Sequence, residues 1–379
     1  MDKVYEDSLK LHREHHGKLA VASKVLLENK NDLSLAYTPG VGEVCREIGK
    51  DPTLAREYTL KRNTVAIVSD GSAILGLGNL GPEAAIPVME GKAVLFKKFA
   101  DVDAFPICLA TQDVEEIIKT VKYIAPVFGG INLEDISAPR CFEIEERLQK
   151  ELPIPVMHDD QHGTAVVVLA GLINALKVKH TNKEAVSIVL NGAGAAGIAV
   201  AKLLLAYGFR DVTLCDTKGA IYRGRGDLNP EKEKLAGMTN PSGRRGELTQ
   251  AISGADIVIG VSKANLLTEN MVRSMGERPI IFALANPVPE IMPDAARRAG
   301  AFIVATGRSD FPNQVNNVLA FPGIFRGALD NGVRQFTDAM FIQAAKRLAA
   351  CVKNPSPEKI LPGAFEEGIA SAVAGAMKN

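Results

Sequence analysis

The sequence carries no excess of charge of either sign, because 44 Lys and Arg residues balance 44 Asp and Glu residues. Without a long-range field to draw in nucleic acid or an anionic membrane surface, a small-molecule ligand is the expected partner. Cysteine is sparse and scattered. Cys45, Cys108, Cys141, Cys215 and Cys351 are odd in number, far apart and form no C-x-x-C pair. That spacing excludes a disulfide framework and a paired zinc or redox motif, and leaves reduced structural thiols. The longest nearly apolar run, Ala165 to Leu176, is too short to span a bilayer and contains Asn174, so a buried helix is expected there. The first twenty residues include Lys3, Glu6, Asp7, Arg13 and Glu14 and have no apolar core region. No secretory signal is read in them, and a cytoplasmic location is expected. Internal repeats and low-complexity tracts are absent as well.

What is present suits an ordinary soluble enzyme of two domains, since 379 residues exceed what one core usually organises. From about residue 185 apolar strands alternate with helical patterns: residues 185–190, 211–216, 255–261, 279–286 and 301–307. Strands that are apolar on both faces, each separated by enough chain for a crossover, predict an α/β Rossmann-type domain with a doubly wound parallel sheet. The N-terminal half predicts a separate α/β domain, with a helical segment around residues 2–28 and hairpin-like strands over residues 63–78. The expected division is a substrate domain over 1–157, a dinucleotide-binding domain over 158–330, and helices over 331–379 packing back across the junction.

Two stretches fit G-x-G-x-x-G, GLGNLG at Gly76–Gly81 and GAGAAG at Gly192–Gly197. A working dinucleotide turn needs a strand before it, a helix after it, and an acidic residue at the end of the next strand. Only the second has all three. Gly192, Gly194, Ala195, Ala196 and Gly197 open an alanine- and leucine-rich segment, and Asp216 follows Gly197 by nineteen residues. Pro82 and Pro87 interrupt the helical pattern behind GLGNLG, which instead reads as a tight turn near an active site. Asp216 favours the ribose hydroxyls of NAD, while Lys218, Arg223 and Arg225 close behind it could accept the 2′-phosphate of NADP.

Two acidic pairs close apolar strands, Glu134 with Asp135 and Asp159 with Asp160. Carboxylates converging from two strand ends make a hard-oxygen site suited to Mg²⁺ or Mn²⁺, although either pair alone is equally at home in a turn or at a helix N-terminus. Lys92, placed where a helical pattern passes into a strand-like one, is a candidate base; beside metal and cofactor cations its pKa would be depressed. Tyr37, before a Pro-Gly turn, is a candidate acid. His12 and His16 share one helix face but have no third ligand in reach, so a surface pair is expected.

In order and spacing, YTPGVG, SDGSAILGLGNLG, EGKAVLFKKFADVDAFPI, GGINLEDI, HDDQHGT and NGAGAAG resemble malic enzyme, the short prokaryotic branch above all, over nearly the whole chain. The resemblance implies oxidative decarboxylation of malate to pyruvate with NAD or NADP and a divalent ion. It assigns metal binding to Glu134, Asp135 and Asp160, a proton relay to Asp159, the general base to Lys92 and the acid to Tyr37. Asn286 and Asn317 match malate-contacting asparagines, Asn286 also bordering the cofactor. The family further implies a homodimer in which Tyr37 serves the partner's site. One position departs: Ala73 stands where larger members have an arginine that binds a malate carboxylate. A malolactic-type enzyme releasing lactate is the near alternative, and a non-catalytic NAD(P) sensor the distant one.

Overall fold

The computed structural model describes residues 2–378. Its first sheet holds β1 (Thr64–Ser69), β2 (Asp103–Cys108), β3 (Gly130–Leu133) and β4 (Val156–His158) in the order β2-β1-β3-β4, all parallel. The second holds β5 (Ser187–Asn191), β6 (Asp211–Asp216), β7 (Gly219–Ala220), β8 (Ile257–Gly260), β9 (Ile280–Ala283) and β10 (Ile303–Thr306) in the order β10-β9-β8-β5-β6-β7, with β7 alone antiparallel. The chain leaves β5 for β6 on one side and returns to β8 on the other, so the crevice at the carboxyl end of β5 is a topological switch point. β1, β3, β8, β9 and β10 are buried along their whole length, the reason they read as continuous apolar runs rather than alternating ones.

The helix Asp159–Lys179 starts at the end of β4 and lies against the helices Ala195–Tyr207 and Asp338–Ala350. Residues 165–172 are all buried. By length and composition this is the one helix among the described residues that could cross a membrane, longer than the run read from sequence. Its apolarity on every side has a local explanation, since it fills the core between other elements. Phe96, on the helix Pro82–Ala100, meets Phe321 at 4.7 Å and Phe325 at 5.5 Å edge-on, both on the helix Phe321–Asn331. One apolar core therefore runs from β1 through these helices to β5 and β8.

Four local expectations are corrected. β1 pairs in parallel with β2 and β3, not in a hairpin; only an isolated bridge, Ile74 to Gly78, joins residues of the following loop. Pro82 starts a helix at its first turn, where its missing N–H has no helical partner, and Pro87 is carried inside the same helix at the loss of one backbone bond. That helix continues to Ala100, so Lys92 lies inside a helix and not at a helix-to-strand transition. The first helix stops at His15, where His16 and Gly17 turn through positive φ, well short of residue 28. None of residues 3–63 is buried.

Candidate active site

β3 and β4 are neighbours in parallel register, Leu133 opposite His158, so the residues that follow them emerge side by side at the carboxyl end of the sheet. Glu134 is fixed by its N–H on Val68 O at 2.9 Å, and Asp135 turns the chain through φ 54°. The Asp135 N–H donates to Asp160 Oδ2 at 3.0 Å, which joins the two acidic pairs. Oxygens of Glu134, Asp135 and Asp160 lie within 4.8 Å of one another, the one such cluster of potential ligands among the described residues. Asp159 and Asp160 also occupy the first turn of a long helix, where negative charge is favoured by the helix dipole.

Lys92 Nζ reaches into this group, donating to Asp159 Oδ2 at 2.7 Å and lying 2.9 Å from Glu134 Oε1, with its ammonium 4.3 Å above the Phe321 ring. It is 7% exposed. Asp159 is folded back over its own helix. A Cβ at Gly163 would stand 1.9 Å from Asp159 Oδ1 and 3.3 Å from Asn317 Cβ, so glycine there admits both the carboxylate and Asn317.

Four carboxylates thus face one ammonium. Burial, reinforced by like-charged neighbours, pushes the Glu134 carboxyl well above its ordinary range although Lys92 opposes it. The Asp135 carboxyl is pushed up to about 7 by burial and Asp160, and burial raises that of Asp159 too. Lys92 departs from expectation: burial disfavours its charge, but Asp159 and Glu134 outweigh burial and hold its pKa above the usual lysine value. The negative surplus decides the sign.

These residues fit a hard divalent cation. Asp135 Oδ2 is buried without a hydrogen-bond partner, and Asn132 Nδ2 steadies Glu134 Oε2 at 2.8 Å. Oxygen donors that repel one another, more numerous than the single Lys92 ammonium can neutralise and one of them buried and orphaned, are the donor set such a cation prefers.

Of the other predicted residues, Asn317 opens a short 3-10 turn beside Asp159, and Asn286 is exposed just beyond β9. The GLGNLG loop reaches Asn286: a Cβ at Gly76 would lie 2.8 Å from its carbonyl oxygen. Tyr37 is not brought in. It is 66% exposed at the end of the helix Lys30–Ala36, in the segment without buried residues. His12 bonds Ser8 O and Lys18 Nζ, consistent with a surface role.

The second glycine motif assembles as expected. Gly192 has φ 126°, a Cβ at Gly194 would meet only open space, and a Cβ at Gly197 would strike Gly192 O at 1.7 Å. Strand, turn and helix can meet this closely only through glycine. Ala195 and Ala196 begin the helix Ala195–Tyr207.

The basic loop behind Asp216 is rearranged relative to expectation. Lys218 offers Asp216 only its backbone N–H at 3.0 Å, and its ammonium pairs with Asp227 at 2.9 Å. Arg223 turns to Gly237 O. Asp216 Oδ2 is instead held by Arg225 and by Lys232, each at 2.6 Å, which overcome burial and keep its carboxyl below the ordinary range. Lys232, on the helix Pro230–Ala236, was missed. The Asn-Pro start of that helix, close behind the basic loop, was its only signal.

A cleft of about 690 Å³ opens behind the acidic group, between the helices Arg140–Glu151 and Ala195–Tyr207. Glu145, Gln161 and His162 line it; Glu134, Asp135, Asp159 and Asp160 do not. Its size therefore does not mark the chemistry.

Fold and site define a class: a two-sheet α/β oxidoreductase in which a buried acidic centre with a lysine adjoins a dinucleotide fold. Comparison with known proteins carries this further. The malic enzyme N-terminal domain matches residues 16–149 and the malic enzyme NAD binding domain residues 161–375, and the chain belongs to the malic enzyme family. It is 57% identical to the bifunctional malic/malolactic enzyme of Bacillus subtilis, covering 98% of this chain and 92% of that protein. It is 55% identical to the NAD-dependent malic enzyme of Geobacillus stearothermophilus, covering 94% and 75%. The crystal structure of the NAD-dependent malic enzyme of Thermotoga maritima superposes with a TM-score of 0.95 at 51% identity, covering 98% of both chains.

Proposed function

We propose that the chain converts (S)-malate to pyruvate and CO₂ while NAD⁺ or NADP⁺ is reduced, as a cytoplasmic homodimer acting on a small molecule and on neither nucleic acid nor membrane. The observation that carries the reading is Lys92 held buried between Asp159 and Glu134 beside the three-carboxylate cluster. Residues 1–157 would form the substrate part, 158–330 the dinucleotide part, and 331–379 the helices across the junction.

Glu134, Asp135 and Asp160 would hold Mg²⁺ or Mn²⁺, which supplies positive charge to the oxygens of malate and offsets the carboxylate surplus. The turn from Gly192 to Gly197, with the N-terminus of its helix, would hold the pyrophosphate of the hydride-accepting dinucleotide. Lys92 Nζ, held as the ammonium, gives a proton along its 2.7 Å hydrogen bond to Asp159 Oδ2 and with the lone pair so freed takes the proton of the C2 hydroxyl as hydride leaves C2 for the dinucleotide. Asn317 beside Asp159, and Asn286 beyond β9, orient the malate carboxylates by their amides. When the bond from C3 to the C4 carboxylate breaks, releasing CO₂, C3 must gain a proton. Tyr37 of a second copy gives it.

That last role rests on exposure. Val21 is 91%, Leu26 75%, Leu35 70% and Leu9 68% exposed, an unusual load of bare apolar side chains for one segment, and one suited to a second chain. Mixing Lys92→Ala and Tyr37→Phe chains tests it, because hybrid dimers regain one complete site; no recovery on mixing places Tyr37 outside the partner's site. Relatedness to the bifunctional B. subtilis enzyme supports lactate as a second product. The deciding experiment is a malate-dependent assay with NAD⁺ and NADP⁺ in parallel, with and without Mn²⁺, following absorbance, pyruvate and lactate. Dinucleotide binding without turnover of malate refutes an enzyme and leaves a sensor.

A further inference from the structure

The acidic centre depends on the turn from β4 into the helix Asp159–Lys179, because that turn aims both Asp159 and Asp160. The turn has no cap of its own: its N-cap residue is His158, which makes no side-chain capping bond. Nor does the imidazole do other polar work, since both ring nitrogens are buried without a hydrogen-bond partner and Nδ1 stands 3.8 Å from Asp160 Oδ2. In a capping box the third helical residue reaches back to the N-cap N–H. Here the third residue is Gln161, and it does not reach back.

The missing bonds go to Glu145. This side chain comes from the helix Arg140–Glu151 and is 6% exposed. Its Oε1 accepts the His158 N–H at 2.7 Å and lies 3.0 Å from His162 Nε2, while its Oε2 accepts Gln161 Nε2 at 2.9 Å. One carboxylate thereby grips the residue before the aspartates and the two residues after them. His162 is itself stacked on Phe341, ring centroids 4.7 Å apart and 16° from parallel, so the grip extends to the helix Asp338–Ala350. Glu145 is not among the clustered ligand oxygens and does not touch Lys92.

We infer that Glu145 is a positioning residue for the acidic centre, replacing the absent helix cap and fixing the direction in which Asp159 and Asp160 point. The inference rests on the metal site proposed above. A buried ionic partner is a costly way merely to stabilise a fold, whereas residues behind a metal's ligands commonly set its affinity by 10- to 100-fold. From the same helix Gln149 Nε2 donates to Val156 O in β4, whereas the bonds to the turn itself come from Glu145, with the cleft at its back.

The test measures Mn²⁺ affinity of the ligand-free protein directly, by calorimetry or electron paramagnetic resonance, with dinucleotide affinity as control. Glu145→Leu removes both acceptor oxygens and with them all three contacts; Mn²⁺ binding should weaken about 10- to 100-fold with dinucleotide affinity unchanged. Glu145→Gln keeps an oxygen for the His158 N–H, and Gln161 can turn its amide to meet the new nitrogen, so affinity should return to within about threefold of the original. Wild-type affinity in Glu145→Leu overturns the inference, as does equal loss for metal and dinucleotide, or Gln behaving as badly as Leu. Should Glu145→Leu fail to fold, the double variant Gln161→Met/His162→Phe removes the two side-chain tethers and should show intermediate weakening; unchanged affinity there overturns the inference too. If the unaltered protein binds no Mn²⁺, the metal site itself is refuted, an outcome distinct from all of these.

Discussion

Gly163→Ala sets two effects of opposite sign against each other. In a helix interior, alanine for glycine ordinarily stabilises by about 1 kcal/mol through backbone entropy. At Gly163 the new methyl would stand 1.9 Å from Asp159 Oδ1 and 2.9 Å from its Cγ, and Asn317 Cβ at 3.3 Å restricts the escape. The carboxylate must swing away and release Lys92, now bound at 2.7 Å. A charge-assisted hydrogen bond of this kind contributes about 1.5–3 kcal/mol, so after the propensity gain the net loss of stability should be only about 0.5–2 kcal/mol. Activity should respond far more strongly, because displacing a reacting group by about 1 Å costs on the order of 10²-fold. Denaturant unfolding and malate-dependent NAD(P)H formation measure the two, with dinucleotide binding as control, since the Gly192–Gly197 turn is untouched. Turnover within a few-fold of the unaltered enzyme would refute both the position of Asp159 and its link to Lys92.

Three further outcomes are expected. Asp160→Ala and Glu134→Ala should each abolish metal-dependent turnover while dinucleotide binding persists; near-normal rates at limiting Mn²⁺ in either would remove that residue from the ligand set. Lys232→Met leaves Asp216 less neutralised, so the carboxylate again repels a 2′-phosphate, and kcat/KM should fall more for NADP⁺ than for NAD⁺. An equal change for both cofactors would show that Lys232 does not read the 2′ position, and Lys218→Ala should change neither much, its ammonium being committed to Asp227. Finally, burial opposes ionisation of Asp256, but the Ser187 N–H and Lys179 hold its carboxyl below the ordinary range. A depressed folded-state pKa gives stability that is present above about pH 4 and lost as pH falls further. Asp256→Ala should therefore be less stable than the parent at neutral pH, with the gap closing in acid; a gap independent of pH would rule out ionisation as its origin.

The sequence by itself determined what depends on local pattern. β6 falls at Asp211–Asp216 as read, because a two-sided apolar strand ending in an acid leaves little choice of register. The Gly192–Gly197 turn was legible since each glycine answers a steric demand within a few residues. The two acidic pairs were legible as strand ends, and the order of motifs along the chain already pointed to the family. Tertiary structure decided everything that depended on a distant partner. Pairing of β3 with β4 is what makes two acidic pairs into one group, and the surplus of charge in that group is what reverses the expected shift of Lys92. Lys232 displaced Lys218 at Asp216 because a helix sixteen residues on folds back over the strand end. Glu145 had no sequence signal at all: a glutamate in an amphipathic helix looks solvated until the fold buries it against the turn it holds. Local sterics and periodicity are written in neighbouring residues, whereas the charge a group feels is summed over whatever the fold brings within a few ångströms, and only the assembled chain fixes that sum.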